Sequence, residues 1–514
     1  MAPTQVPQAV TMAALLDEHA ARTPEAPALT TAGRRFTYAE LAEVAGRYAR
    51  AFEASGLRPG DRVLFLAHNG LPFVAAHFAA SRAGVVLVGV NWRLSAFEVA
   101  QIVADAEPSL VLADHDLLDL LAQAERLPRV VTLDGPRSDL REWLETGEAV
   151  EPADRGEPGN VLMMLYTTGT TGRAKGAMIS ERNVNEMLRE VSARWLMRPG
   201  MRFVAVLPLF HVSGTGSIFS TLFAGGEVIL PPDASAETIA RAIDERKATH
   251  SALVPTILNG FVHEPALKKY DLSSLEVLIY GAAPSGGTLI QDAMALMPRC
   301  GFTQGYGLTE TCGGVSVAPL RRHGEEDDRP GTVGRACTKY EIRIVDPATL
   351  EDVPAGADGE VWLRGPQNAL GYWNRPEETA AAFKPDGWFR TGDVGVLDED
   401  GYLYLKDRLK DMIISGGENI YSVEVESALL AHPEILEVAV YGVPDEHWGE
   451  RVKAVVVRTP GSTLDRDAVL EHARSRLARY KCPRAIEFVP ELPKSGSGKI
   501  LKHVLRGRET TTAG

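Results

Sequence analysis

The sequence predicts an α/β protein in two unequal parts. A large N-terminal domain of layered α/β subdomains plus a β subdomain precedes a small α+β C-terminal domain. Three observations predict it. Apolar runs of strand length alternate with helically periodic stretches as far as about residue 335. Beyond that point the segments become short and period-2, separated by Asp-Gly and Asn/Pro turns. After DRLKD (407–411) the remaining chain, about 100 residues, has the size and pattern of one small domain.

The elements follow in order. FTYAELAEVAGRYARAFEASG (36–56) has apolar residues at helical spacing, with Thr37 as N-cap, Glu40 completing a capping box and Gly56 as the stop. DRVLFLAHNG reads as a buried strand, PFVAAHFAASRAG as a helix and VVLVGVN as a strand. SLVLAD, VVTLDG, RFVAVLP, GEVILPP, HSALVP and LEVLIYG continue the strand series. Runs as apolar as VVLVGV suit a parallel sheet covered on both faces. YEIRIVDP, GEVWLRG and GYLYLKDR read as an antiparallel β subdomain. MIISGG, VEVESALLAHP, EVAVYGVPD, RVKAVVV, a helix around LEHARSRLARY, and IEFVPELP make up the last domain. Glu509 to Gly514 is expected to be a frayed tail. The domain boundary is set at 408/409, giving domains 1–408 and 409–514.

Composition narrows the function classes. The 514 residues are 45% hydrophobic and 24% charged, an ordinary soluble balance. The net charge of −14, from 54 basic and 68 acidic residues, argues against a nucleic-acid partner. Four cysteines, none in a CxxC pair, argue against a disulfide framework or structural zinc. No stretch has the roughly 20 apolar residues of a membrane span. The N-terminus has neither a basic start nor an apolar signal run, so a cytoplasmic location is expected.

The sharpest local signal is YTTGTTGRAKG (166–176), which follows the apolar run VLMML. Its glycines let backbone N–H groups approach a phosphate, its threonines offer hydroxyls, and Lys175 adds a charge. It is not a Walker A loop, because Ala174 precedes the lysine and Gly176 follows it.

The chain also carries PLFHVSG (208–214), YGAAP (280–284), QGYGLTE (304–310), GYWNRPEET (371–379) and GWFRTGD (387–393). KDRLKDMIISGGENIYSVEVE (406–426), VYGVPDEHWGE (440–450) and LPKSGSGKILK (492–502) follow. In this order, over essentially the whole chain, these motifs resemble the adenylate-forming superfamily. That superfamily includes acyl-CoA synthetases, aryl-CoA ligases, peptide-synthetase adenylation domains and firefly luciferase. Its reaction joins a carboxylate to the α-phosphate of ATP, expels pyrophosphate, and passes the acyl group to a thiol.

The resemblance implies roles by motif position. Thr167, Thr168, Gly169, Thr170, Thr171, Gly172 and Lys175 hold the β- and γ-phosphates. Glu310 binds Mg²⁺, Thr309 touches the α-phosphate, and Tyr306, between Gly305 and Gly307, stacks on adenine. Gly281, Ala282 and Ala283 line the nucleotide and acyl pocket. Asp393 accepts from the ribose hydroxyls and Arg408 supports the same sugar. Lys499 bridges carboxylate and α-phosphate; by itself it would read as a solvated lysine in a basic tail. Lys410 is the hinge of a mobile lid, and Gly416 and Gly417 line a pantetheine channel. His211 gates the acyl pocket, with Val212, Ser213, Gly214, Tyr280 and Cys312 as further wall candidates.

Two departures stand out. Ala174 replaces the usual proline of the phosphate loop, and Glu181 replaces the histidine of Ser-His-Xaa-Asn, either near the acyl pocket or merely at the surface. DRLKDMIISGGENIY is similar to acyl- and aryl-CoA ligases rather than to peptide-synthetase domains. The resemblance therefore implies an ATP- and Mg²⁺-dependent acid:CoA ligase releasing AMP and pyrophosphate, and leaves a homodimer open. With no lysine or arginine among the wall candidates, a monocarboxylic acid is expected, either a medium- or long-chain fatty acid or an aromatic one. The alternative is a stand-alone adenylating enzyme of a natural-product pathway, passing its acid (even a small inorganic one such as nitrite) to an amine or carrier protein.

Overall fold

The structure is a computed structural model that describes residues 11–148, 154–168, 174–281, 287–326, 329–415, 418–445, 447–494 and 500–512. Among these residues the strands form three sheets. The first has six strands: 129–132, 110–113, 62–66, 86–89 and 161–168, all parallel, then 174–180 antiparallel at the edge. The second, of 13 strands, has a parallel centre running 27–31, 227–230, 202–204, 250–253, 277–281 and 301–308, with 34–37 antiparallel at the edge beside 27–31. Beyond 301–308 it turns antiparallel through 313–317, 334–336, 402–408, 388–397, 359–364 and 341–345. The segments read as a β subdomain are therefore an extension of this sheet rather than a sheet of their own.

The parallel strands are apolar because helices cover them. Val63, Leu64, Phe65, Leu87, Val88, Val111 and Leu112 are buried, and the helix Leu71–Ala83 packs its phenylalanines among them. The helix Tyr38–Ala54 has the anticipated cap: Thr37 Oγ1 accepts from the Glu40 N–H, and Glu40 Oε2 accepts from the Thr37 N–H.

The small domain has its own five-stranded sheet of 413–415, 418–420, 435–445, 449–458 and 485–488. Ile413, Ile420, Val425, Leu429, Val440, Val452 and Val456 form its core. It meets the large domain beside the expected hinge. The Ser422 N–H donates to Asp407 Oδ2 and Tyr421 donates to Asp358 at 2.6 Å, while within the small domain Arg506 pairs with Asp411 at 2.9 Å. The terminal segment differs from the expected frayed tail: the last helix, Lys502–Thr512, extends into it as far as Thr512. No helix among the described residues is long and apolar enough to cross a membrane.

Candidate active site

The site gathers where the parallel half of the large sheet gives way to its antiparallel half. The strand Gly301–Leu308 carries Gly305, Tyr306 and Gly307, and a short 3₁₀ turn over Thr309–Thr311 follows it. Beyond two intervening strands, Asp393 and Arg408 face each other across an antiparallel register. Arg408 Nε lies 2.5 Å from Asp393 Oδ1, and the Tyr306 hydroxyl donates to Asp393 Oδ2 at 2.8 Å. Burial works against the Arg408 charge, but Asp393, Tyr306 and Glu310 outweigh it and raise the guanidinium pKa. Burial, reinforced by Asp393, holds the Tyr306 phenol far above its ordinary range, so it stays a donor. Tyr306 is only 7% exposed, which leaves little ring face free. Its sequence position suggests adenine stacking; in the structure its hydroxyl also orients Asp393.

The phosphate loop joins the antiparallel strands Val161–Thr168 and Ala174–Ser180, which pair Thr167 with Lys175 and Thr168 with Ala174. Gly169, Thr170, Thr171 and Gly172 lie outside the described residues, as do Ala282, Ala283, Gly416, Gly417 and Lys499.

Lys175 leads to a residue without a role in the sequence reading. Its ammonium stands 5.3 Å from the ring centroid of Tyr372, and the Tyr372 hydroxyl donates to Glu310 Oε1 at 2.9 Å. Burial and the Glu310 charge raise the Tyr372 pKa, so this donor is also permanent at working pH. Backbone pairing fixes the arrangement. The Met178 N–H donates to Gly371 O, Leu370 N–H to Met178 O, and Trp373 N–H to Gly176 O, adding segment 370–373 to the phosphate-loop hairpin. The Ala369 N–H donates to Glu310 O, and Asn183 Nδ2 donates to Pro366 O and Asn368 O. GYWNRPEET was visible as a motif; only the fold places Tyr372 between the loop lysine and the carboxylate.

The fit to a magnesium nucleotide can be tested on these groups. Glu310 is 9% exposed and has no second side-chain partner among the described residues. Lys175 has no carboxylate partner there either, so its charge is not spent within the protein. A hard carboxylate oxygen beside an uncompensated cation suits Mg²⁺ with phosphate oxygens. Thr309, half-buried at the start of its turn, is next to Glu310 in the chain.

The acyl-pocket candidates divide. His211 caps the helix Val212–Phe223; its Nε2 is buried and has no hydrogen-bond partner among the described residues. Burial, with Arg93 adding, pushes its pKa down to about 4, so it is neutral at pH 7 and is no cation for an acid. Gly281 and Gly307 are close-approach positions, because a Cβ would stand 2.5 Å from Gly305 O and 1.7 Å from Gly313 O respectively. At Gly214 a Cβ would strike Pro208 O at 2.1 Å, so this glycine serves packing, not the pocket. Cys312 is fully buried, and burial raises its thiol pKa, leaving it unreactive. Lys410 is exposed in the turn after Arg408. Glu181 lies neither at the surface nor among these wall residues: it is buried, and its Oε2 accepts the Met12 N–H at 2.9 Å.

Known proteins agree with this geometry. Residues 16–373 match the AMP-binding enzyme family and residues 424–499 match the AMP-binding enzyme C-terminal domain. A feruloyl-CoA synthase of Amycolatopsis sp is 39% identical over 495 residues, 94% of this chain and 96% of the relative. A long-chain-fatty-acid–CoA ligase of Mycobacterium tuberculosis is 36% identical over 487 residues, 93% of this chain and 94% of the relative. The ATP-bound MatB structure from Rhodopseudomonas palustris superimposes with a TM-score of 0.88 at 35% identity, covering 97% of this chain and 98% of that one. The chain belongs to the AMP-binding enzyme family, within the adenylate-forming superfamily, and is an AMP-forming acid:CoA ligase.

Proposed function

We propose that the chain activates a monocarboxylic acid, medium- or long-chain fatty or aromatic, as its acyl-adenylate and transfers the acyl group to CoA. The observation that carries the reading is the Lys175, Tyr372 and Glu310 array beside the Asp393, Tyr306 and Arg408 cluster. The chemical difficulty is that a carboxylate must approach a phosphate, so like charges have to be offset by preorganised groups. Lys175, with the threonines of its loop, would hold the β- and γ-phosphates. Glu310 would hold Mg²⁺, which supplies neutralisation of the phosphate charge when bound. Tyr372 keeps Glu310 turned toward that position. Asp393, its two oxygens oriented by Tyr306 and Arg408, would accept the ribose hydroxyls with its remaining lone pairs. Thr309 would contact the α-phosphate, and Lys499 would bridge it to the acid. His211, neutral and unpartnered, would close the acyl pocket without acting as a base.

The test is AMP release from ATP over a panel of fatty, aryl and short acids, with and without CoA, with products read by mass. AMP release that depends on CoA and yields the acyl-CoA thioester is expected. Turnover that needs no CoA and gives no thioester sinks the reading.

A further inference from the structure

Among the described residues, the acyl side of the site contains a second buried nitrogen without a partner besides His211 Nε2: Nε1 of Trp195. Trp195 ends the helix Glu181–Arg194, and its backbone is held from three directions. Its own N–H donates to Val191 O. Its carbonyl accepts from Nε2 of the buried His250 at 3.1 Å. The next residue, Leu196, adopts a left-handed φ of 53°, and the Met197 N–H returns to Ser192 O, a helix stop normally given to glycine. A non-glycine in that conformation is strained, so the chain accepts strain at the residue that aims the indole.

The indole reaches the strands of the site. A Cβ placed on Gly305 would lie 3.6 Å from Trp195 Cζ2, and one on Gly314 would lie 3.7 Å from the same atom. Among the described residues, no other heavy atom outside their chain neighbours comes within 4 Å of either position. Next door, a Cβ on Gly313 would meet only Val212 Cγ2 at 3.7 Å and Met187 Cγ at 4.0 Å. Glycines on both strands thus leave a space walled by Trp195, Met187 and Val212. Cζ2 adjoins the ring carbon that bears Nε1, so the edge facing this space is the N–H edge. Gly305 precedes Thr309 by about 13 Å of strand, the depth of one aromatic ring on a short linker. A buried donor left without a partner is destabilising, and an indole N–H has no acceptor capacity to complicate its choice of partner.

We infer that Trp195 is the end wall of the acyl pocket and that its N–H donates to an oxygen substituent on the far edge of an aromatic acid. The substrate class is then an aryl acid bearing a ring hydroxyl or alkoxy group, not a long-chain fatty acid. The inference rests on the acid:CoA ligase reading only for its kinetic readout. A site that hydrogen-bonds a substrate hydroxyl discriminates strongly against the analogue lacking it.

Two measurements on the full chain test it. The first is kcat/KM for AMP release with cinnamic acid, 4-hydroxycinnamic acid, 4-hydroxy-3-methoxycinnamic acid and palmitic acid. The oxygenated acids should exceed cinnamic acid by about tenfold or more, and Trp195→Phe, which keeps a ring and removes the N–H, should bring the ratio toward one. The second needs no turnover. The indole ¹⁵N–¹H resonance that disappears in Trp195→Phe should shift on adding an oxygenated acid, and less on adding cinnamic acid. An unchanged ratio in Trp195→Phe, a preference for palmitic acid, or equal indole shifts with both aryl acids would overturn the inference. Failure of every acid to release AMP would count against the ligase reading instead, and the resonance would still decide on Trp195.

Discussion

Glu181 is one of two positions at which this chain departs from the motif pattern it resembles, and its surroundings explain what it does. It is 2% exposed, stands in the first turn of its own helix, and accepts the N–H of Met12 in the first turn of another, Met12–Arg22. Two helix N-termini favour the carboxylate, but burial dominates and lifts its pKa to about 7. Ser81 and the Met12 N–H oppose the rise, while Asp154 adds to it. The unfolded chain gives up this proton near 4.5, whereas the native state keeps it to about 7. The associated stability is therefore complete below pH 4.5 and lost as pH rises through 7, a difference of order 3 kcal/mol. Glu181→Gln should raise the denaturation midpoint at pH 8 and leave it nearly level at pH 5. An equal shift at both values would show that titration is not involved.

At the scale of elements, the phosphate-loop hairpin and segment 370–373 act as one unit, since their backbones pair and Tyr372 spans Lys175 and Glu310. Tyr372→Phe keeps the ring under the lysine and removes only the hydroxyl. A hydrogen bond to a charged group is worth about 1.5–3 kcal/mol, so the pyrophosphate-exchange rate should fall roughly ten- to a hundredfold. The melting temperature should move little. Loss of stability without a change in exchange would assign Tyr372 to packing. The neighbouring motif residues have structural work of their own: Arg375 pairs with Asp105 at 2.5 Å, and Tyr166 donates to the same carboxylate at 2.7 Å. This network ties the segment to the six-stranded sheet.

At the scale of the whole molecule, the domains meet among the described residues through polar contacts at Asp358 and Asp407, close to the turn that carries Lys410. A joint of this kind suits a lid that changes position between half-reactions at very few residues. Lys410→Pro should stiffen it and slow adenylation and thioester formation unequally when each is assayed alone. Equal slowing would remove the hinge role. The net charge of −14 also has its meaning at this scale. It describes the average field, while polyanionic ATP and CoA would meet a local one. From Tyr480 to Glu509 seven lysines and arginines stand against three glutamates, so the end of the small domain is locally basic within an acidic chain.

The sequence by itself determined the α/β class, the order of the parallel strands' apolar runs and the Thr37 cap. Each is written in local periodicity or in short motifs whose chemistry needs neighbours in the chain. It also located Asp393 and Arg408, but not that Tyr306 holds Asp393 with its hydroxyl. Tyr372 and Trp195 were legible only as letters, the first inside a motif, the second in no motif at all. Their roles arise from contacts across dozens to more than a hundred residues of chain, between strands and helices that no local pattern pairs. The same holds for Glu181, whose partner Met12 is 169 positions away. Tertiary structure alone decided which polar groups are buried, which of them found partners, and which were left for a ligand to complete, because burial and pairing are properties of packing rather than of sequence spacing.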